Sequence, residues 1–414
     1  MKNRSNGWIV AALGLLTPWS LALAAPSPIA LPGDRVFPEN ITSTHDGTLY
    51  VGSLGSGGVY RIRPNNAHAQ LWIKPGTFGS NAVFGVLADE RSNTLWVCSN
   101  DLSPLGVLSP VSLALAAPAP IALPGDRVFP ENITSTHDGT LYVGSLASGG
   151  VYRIRPNNAH PQLWIKPGTF GSNSVFGVLA DERSNTLWLC SNDMSPLGVI
   201  IAGGDQGSVL KGFDLTTGNG KVSAVMPGEH TLCNDIAIGP DGSAFVTNTQ
   251  APQIFRLPAG ADQLELWMTD ASLQPAPGKA GLDGIAFGSD GNLYVDTYTP
   301  GDLYRIDVKD GKPGKVKKLQ PSRLLVLADA IRLFGKDSFL IVEGGGRLDR
   351  ILVHGDNVTV KTLRDGMATP TGVAITGSTA WVSEGQLSHL FDPSKKQQKP
   401  NLPFRLYPVV LPAR

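Results

Sequence analysis

Hydrophobic and polar positions repeat one phrase from residue 126 onward, at intervals of roughly 45–50 residues. Each phrase joins an apolar strand to a second strand rich in aromatic and branched residues through a polar turn, and two further short strands follow. Three of the turns carry an Asp-Gly pair, at 138–139, 241–242 and 290–291, where glycine tolerates the positive φ of a tight hairpin. Helical periodicity is nearly absent. The pattern predicts an all-β fold built from antiparallel hairpins.

Six such phrases lie between residues 126 and 412, and four strands in each predict a six-bladed β-propeller. A pair of β-sandwiches is the alternative, but sandwiches do not need six similar hairpins. The apolar strands of the six phrases begin close to Asn132, Val175, Asp235, Gly284, Ala330 and Gly372.

A nearly perfect internal repeat covers the start of this pattern. Residues 20–107 match residues 112–199 over 88 positions, at an offset of 92. The repeat includes the end of the N-terminal apolar segment, which no structural period requires, so we interpret it as a recent tandem duplication or an assembly artefact. The six differing pairs are Ser27/Ala119, Gly55/Ala147, Ala69/Pro161, Ala82/Ser174, Val97/Leu189 and Leu102/Met194.

The second copy is continuous with the remaining phrases, because the chain runs on from Val199 without interruption. The first copy breaks off at Leu108-Ser-Pro110. We therefore expect the propeller to span residues 120–412. Residues 26–111 are expected to form a duplicated fragment of about one and a half blades, which cannot close a ring and leaves strand edges unpaired.

The N-terminus has the pattern of an export signal, predicted to span residues 1–24. Lys2 and Arg4 precede an apolar stretch of about 16 residues, which is short for a membrane-spanning helix. Ala22-Leu-Ala24 supplies the small residues of a cleavage site. An uncleaved anchor is the alternative. The mature protein is expected in a periplasm or outside the cell, with no membrane attachment after cleavage.

Charge and motifs limit the partners. Lys+Arg and Asp+Glu both number 34, and a net charge of zero argues against a nucleic-acid partner. The chain has no Gly-x-Ser-x-Gly elbow, and its Gly-rich stretches lack the strand-to-helix setting of a phosphate loop. We expect a monomer that binds a small molecule.

Four inner strands begin with a residue that carries a side-chain oxygen. In a propeller, residues just before the first strand and just after the second strand of each blade line one mouth of the ring. Carboxylate and amide oxygens gathered there suit a hard divalent cation. The alternative is that these side chains satisfy backbone N–H groups in turns. The four residues are Glu131, Asn234, Asp283 and Asp329.

The phrases around these residues resemble the senescence marker protein, gluconolactonase and luciferin-regenerating-enzyme family, over about residues 126–390. The segments that carry the resemblance are Phe129-Pro-Glu-Asn132, Leu232-Cys-Asn-Asp-Ile-Ala-Ile-Gly-Pro-Asp-Gly242, Leu282-Asp-Gly-Ile-Ala-Phe287 and Leu327-Ala-Asp-Ala-Ile331.

The resemblance implies one divalent cation in the central channel, Ca²⁺ foremost and Mg²⁺ or Zn²⁺ as alternatives, and an activity that opens sugar lactones. The family's ligands fall on Glu131, Asn234, Asp283 and Asp329. Asp283 departs from the family pattern, which has Asn there, and the extra carboxylate puts lactone specificity in question. Asp329 is expected to act as general base or to orient a water.

Polar residues that follow the second strands are expected to hold the hydroxyls of a sugar-like substrate. These rim residues are Asn192, Asp193, Asn248, Asp296, Tyr298, Glu343 and Glu384.

Cys190 ends a second strand and Cys233 begins the next inner strand, so both should lie at the mouth. An oxidising compartment permits a disulfide between them. Cys98, the counterpart of Cys190 in the first copy, would then be unpaired.

The leading functional hypothesis is an exported, gluconolactonase-like hydrolase that opens a lactone or related cyclic ester with the help of a metal ion. A non-catalytic propeller that binds a ligand or partner is the alternative. A strictosidine-synthase-like propeller is a third candidate, although no catalytic Glu can be assigned to it here.

Overall fold

The computed structural model describes residues 28–100, 109–114 and 118–412, apart from 65, 78–79, 81, 91, 157 and 396. The predicted export signal at 1–24 lies outside the described residues. Antiparallel sheets, most of them four-stranded, follow one another along the chain. The all-β prediction is confirmed.

Two separate sheets, β1–β4 and β5–β7, precede the circle; β1–β6 come from the first copy, and β7 joins the end of that copy to the start of the second. Their strands are β1 Pro38–Ser43, β2 Leu49–Ser53, β3 Val59–Arg63, β4 Asn66–Ile73, β5 Ala82–Asp89, β6 Thr94–Asn100 and β7 Ser109–Ala114.

Six sheets follow within residues 121–410. The strands of the first three are β9 Pro130–Ser135, β10 Leu141–Ser145, β11 Val151–Arg155 and β12 Asn158–Ile165; β13 Ser174–Asp181, β14 Thr186–Asn192, β15 Ser208–Asp214 and β16 Gly220–Val225; β17 Cys233–Ile238, β18 Ala244–Asn248, β19 Gln253–Leu257 and β20 Glu265–Thr269.

The other three sheets include a five-stranded one and one completed by a strand from the start of the second copy. Their strands are β21 Leu282–Phe287, β22 Leu293–Thr297, β23 Leu303–Lys309 and β24 Lys312–Lys318; β25 Gln320–Pro321, β26 Ala328–Leu333, β27 Ser338–Glu343, β28 Arg347–His354 and β29 Asn357–Arg364; β30 Pro370–Thr376, β31 Thr379–Glu384, β32 Arg405–Val410 and β8 Ile121–Ala122. The helical pieces are short: 3₁₀ turns Thr169–Gly171, Ser195–Leu197 and Ala271–Leu273, and α1 Ser388–Phe391.

The first strands of the six sheets contact one another in a circle. β9 packs on β13, and the contacts continue through β17, β21, β26 and β30 back to β9. β8 pairs with β32 at the other end of the chain, with Ile121 opposite Leu406. Between neighbouring sheets lie apolar layers such as the one that joins Phe245 to Leu293. The two ends of residues 121–410 are therefore held in one sheet.

The hairpin turns follow the local chemistry that the sequence predicts. At the turn between β9 and β10, Gly139 has φ +85°. The Asp138 carboxylate accepts from the Thr140 backbone N–H at 2.9 Å and from the Thr136 hydroxyl at 2.6 Å. Such a turn is local, so it fixes which strand residues face each other.

Every one of the six inner strands has a β-bulge near its start. In β17 the pairing passes from Cys233 opposite Asn248 to Ile236 opposite Val246, so two residues oppose one. The same shift occurs in β9, β13, β21 and β26, and a register shift falls at the start of β30. A bulge bends its strand and turns side chains out of the sheet alternation, and the bulges lie at equivalent points of the circle.

The duplication places nearly identical sequences in two environments. Ile133 in β9 is 0% exposed and Phe129 is 4% exposed, whereas their counterparts Ile41 and Phe37 are 59% and 62% exposed. The second copy buries these side chains against β13 and β30, and β1 leaves them at a surface. The identity of the residues does not decide their burial; the neighbouring sheets do.

This pair supports a matched test. Ile133→Ala should destabilise the protein by about 2–5 kcal/mol, because it opens a cavity between packed sheets. Ile41→Ala, the same change in the same local sequence, should stay within about 0.5 kcal/mol. Urea unfolding followed by tryptophan fluorescence measures both. Equal effects would show that both copies are packed alike, and a larger effect of Ile41→Ala would place the first copy, rather than the second, in the circle.

Candidate functional site

A cavity of about 1350 Å³ opens at one mouth of the circle, and all four predicted ligands line it. Glu131, Asn234, Asp283 and Asp329 each stand first in a two-residue bulge, in β9, β17, β21 and β26. The equivalent residue of β13 is Phe176, which also lines the cavity. The bulges therefore bring together residues that lie far apart in sequence.

Local hydrogen bonds hold two of these side chains. The Asn234 amide nitrogen donates to Thr249 Oγ1 at 2.9 Å, and Thr249 Oγ1 donates on to the Leu282 carbonyl at 2.8 Å. This orientation makes Asn234 Oδ1 the atom available as a ligand. One oxygen of Asp329 accepts from the Ala330 N–H at 3.0 Å.

The three carboxyl groups are buried together, and their charges interact. Burial, followed by the charge of Asp235, raises the pKa of Asp283 to about 8, although hydrogen bonds with Asp329 and Asn234 oppose the rise. Burial and the charges of Asp283 and Glu131 hold the pKa of Asp329 well above its usual range. Burial and Asp283 do the same for the pKa of Glu131. Three ionised groups cannot coexist here without compensation.

One oxygen at the site has no partner. Glu131 Oε2 is buried and accepts no hydrogen bond, and a buried lone acceptor of this kind is costly. Carboxylate oxygens and one amide oxygen are the donor set of Ca²⁺ or Mg²⁺. The chemistry of the four residues therefore fits a hard divalent cation.

The geometry does not present a preformed metal centre. Over the described ranges, no group of three or more His, Cys, Asp and Glu side chains is arranged to hold a metal ion. The fit rests on the type of the donors, on their shared cavity and on the lone Glu131 oxygen.

Tyr298 follows β22 and lines the same cavity. Burial, with the charges of Asp329, Asp283 and Glu131, raises the pKa of its phenol. The phenol therefore stays protonated across the physiological range and can serve as a hydrogen-bond donor beside the carboxyl groups.

The predicted rim residues divide into two groups. Asn192, Asp193 and Tyr298 line the cavity. Asn192 is also bound to the backbone of Cys233, donating to its carbonyl at 2.8 Å and accepting from its N–H at 3.0 Å. Asn248, Asp296, Glu343 and Glu384 are absent from the cavity lining among the described residues.

Those four side chains bind protein groups instead. Asn248 accepts from the Leu232 N–H at 3.0 Å and Asp296 accepts from the Gly284 N–H at 3.0 Å. Glu343 accepts from the Val326 N–H and pairs with Arg323 at 2.7 Å. Glu384 accepts from the Ala368 N–H at 2.6 Å. Three of them end their second strands and Asp296 lies within β22, where they accept from N–H groups of neighbouring loops and of the β21 bulge.

Three residues under the cavity were not singled out from the sequence. Asn132 and Asp235 occupy the second positions of their bulges, and Arg332 lies on β26. The Arg332 guanidinium pairs with Asp235 at 2.7 Å. The available signal was the doubled polar start, Glu131-Asn132 and Asn234-Asp235, where one polar residue would suffice to cap a strand.

The predicted disulfide is confirmed. Cys190 and Cys233 are bonded, with Cα atoms 5.1 Å apart, well inside the range that a disulfide can bridge. Cys98 is free and exposed. The bond ties the end of β14 to the start of β17, directly before Asn234.

Comparisons with known proteins support the fold. The N-terminal model of the strictosidine synthase-like family matches residues 21–62 and again residues 112–154, so both copies carry the match. No curated protein matches the chain. The allergen Mala s 1 of Malassezia sympodialis superposes with a TM-score of 0.55 at 15% identity, covering 71% of this chain and 96% of the allergen.

Two further structures share the fold. The calcium-binding protein regucalcin of Agrobacterium tumefaciens superposes with a TM-score of 0.51 at 14% identity, covering 72% of this chain and 98% of that one. A protein provisionally assigned as a gluconolactonase has a TM-score of 0.51 at 12% identity, with 70% and 91% covered. In fold, the chain is similar to these proteins, as its sequence predicts.

The coverage also bears on the duplication. In each of these three superpositions, 70–72% of this chain covers 91–98% of the other protein. The chain is therefore longer than one such propeller. Within the described residues, no helix is long and apolar enough to cross a membrane.

The raised pKa of Asp283 predicts how stability depends on pH. A carboxyl group whose pKa rises from 3.8 to about 8 on folding contributes stability that is fully present below pH 3.8 and lost as the pH rises through 8. In EDTA, the melting temperature should fall between pH 5 and pH 9. Asp283→Asn should flatten this decline. A wild-type profile that rises or stays level over this range would contradict the prediction.

Proposed function

We propose that residues 120–412 form a six-bladed propeller that hydrolyses a lactone or related cyclic ester with a divalent cation at the mouth, Ca²⁺ foremost. The observation that carries the proposal is the convergence of Glu131, Asn234, Asp283 and Asp329 on one cavity, with Glu131 Oε2 buried and unpartnered. These four residues would hold the ion.

The chain's own groups supply proton transfer and orientation. What a divalent cation contributes when bound is Lewis acidity toward an ester carbonyl. Burial and the charges of Asp283 and Glu131 raise the pKa of Asp329, so its carboxylate is a stronger proton acceptor than an ordinary aspartate. Its other oxygen is held by the Ala330 N–H, which fixes the orientation of the carboxylate. The Tyr298 phenol can donate a hydrogen bond to an oxygen of the substrate.

The residues that line the cavity indicate which class of substrate it would accept. Apolar side chains line much of it, and two lysines stand among them. A lactone with an apolar substituent would contact the apolar part, whereas Asn192 and Asp193 offer polar contacts to hydroxyl groups. A substrate panel should therefore include sugar lactones together with alkyl and aryl lactones. The apolar residues include Phe176, Met194, Leu197, Leu232, Pro275, Leu387 and Phe391, and the lysines are Lys279 and Lys395.

Export and the domain limits belong to the same proposal. The apolar N-terminus and the Cys190–Cys233 disulfide both support a periplasmic or secreted protein, because disulfides persist in oxidising compartments. Residues of β1 are exposed, whereas the matching residues of β9 are buried. This difference supports the proposal that residues 26–111 form an extra fragment outside the ring.

A non-catalytic binding propeller is the second candidate. The observation that favours it is the lack of a preformed metal group in the described part of the chain. A binding protein would use the same cavity without proton transfer, so its ligand would survive incubation unchanged.

The duplication provides a control for the catalytic test. Asp329→Ala should lower lactone hydrolysis by about 10²–10⁴-fold, the usual contribution of a positioned base. Glu131→Ala should abolish hydrolysis and weaken Ca²⁺ binding, because Glu131 lines the cavity. Glu39→Ala removes the matching side chain from exposed β1 and should change neither property. Initial rates and calorimetric Ca²⁺ titration measure the effects. Full activity in both Glu variants would leave the binding propeller as the function.

The domain limits have their own test. A protein lacking residues 20–111 joins the export signal directly to the second copy and should fold, with the melting temperature of the full chain. Differential scanning calorimetry measures the transition. Aggregation of this deletion, while the full chain remains soluble, would show that the first copy is part of the fold.

A further inference from the structure

A second polar layer lies beneath the four proposed ligands, and a protein cation occupies it. The Arg332 guanidinium holds both oxygens of Asp235, from Nη1 at 2.7 Å and from Nη2 at 3.0 Å. Nη2 also donates to Asn132 Oδ1 at 3.1 Å, and Nη1 to the Ile331 carbonyl at 2.8 Å. Asn132 Nδ2 donates to Asp235 at 3.2 Å, which closes the network across three inner strands.

The Arg332 guanidinium also interacts with charges other than that of Asp235. Burial lowers the pKa of Arg332, but the charges of Asp235, Glu131 and Asp296 outweigh it and raise the pKa overall. Asp296 is fully buried, and its Oδ2 has no hydrogen-bond partner. The guanidinium thus lies near one ligand of the upper layer and near a buried carboxylate with a lone oxygen.

We propose that Arg332 is a built-in cation that occupies a second divalent-cation site, formed by Asp235, Asn132 and Asp296. Its presence limits the channel to one divalent cation, bound above it. The upper cation rests on the proposed function; the lower site does not, because it is argued from the contacts of Arg332 and from the buried lone oxygen of Asp296.

Arginine suits this position for a geometric reason. Its planar fork binds both oxygens of one carboxylate and still has donors for an amide and a carbonyl. Lysine would keep the charge but lose the paired hydrogen bonds. A neutral side chain would leave the Asp235 and Asp296 carboxylates in a desolvated channel without a counter-charge, and hard oxygen ligands in that state attract a divalent cation.

The test counts cations in variants of the full chain. Arg332→Met removes the charge and keeps much of the side-chain volume. Equilibrium dialysis against Ca²⁺ should show one more bound ion than in the wild type. The melting temperature in EDTA should be lower than that of the wild type, and the gain on adding Ca²⁺ should be larger. Arg332→Lys should keep the wild-type number of ions.

A double variant controls for the possibility that the single variant does not fold. Asp235→Asn combined with Arg332→Met removes both charges of the pair, so it should fold in EDTA and bind the wild-type number of ions. If the single variant folds only with Ca²⁺, that result supports the lower site. If it folds in EDTA as stably as the wild type and binds no additional ion, the lower site does not exist.

The outcomes also separate the two layers. A wild type that binds no ion, with one ion in Arg332→Met, would overturn the upper site and support the lower one. One ion in both proteins would overturn the lower site and leave the upper one standing.

Discussion

The site depends on a one-residue bulge at the start of each inner strand. A regular strand would point neighbouring residues to opposite faces, and the packed neighbouring sheets would then cover the polar ones. The bulge instead turns Glu131, Asn234, Asp283 and Asp329 toward the cavity, and places Asn132 and Asp235 directly beneath. Chain segments as distant as β9 and β26 therefore contribute to one small volume.

Packing this many carboxyl groups into a desolvated channel carries an electrostatic cost that must be offset. The structure supplies two forms of compensation: the raised pKa values, which favour protonated carboxyl groups, and the guanidinium of Arg332 on Asp235. A bound divalent cation would be the third. The lone oxygens of Glu131 and Asp296 mark where compensation is incomplete.

The sequence predicts the upper layer because each residue there is polar at the start of an otherwise apolar strand. It does not predict Arg332, which lies within β26 and becomes part of the site only through its reach to Asp235. It also cannot separate Tyr298, which faces the cavity, from Glu343, which binds loop backbone and Arg323. The duplication shows most clearly what the sequence cannot predict: Glu39 and Glu131 share their sequence context but differ in burial, because β9 packs between β13 and β30 whereas β1 packs on β5.

The central claim is that the four upper residues hold one divalent cation, and anomalous diffraction tests it most directly. A crystal of the protein soaked in Mn²⁺ should show one strong anomalous peak at the mouth, within about 2.0–2.6 Å of oxygens from Glu131, Asn234, Asp283 and Asp329. A crystal without such a peak, or with Mn²⁺ bound only at exposed loop carboxylates, would contradict the account.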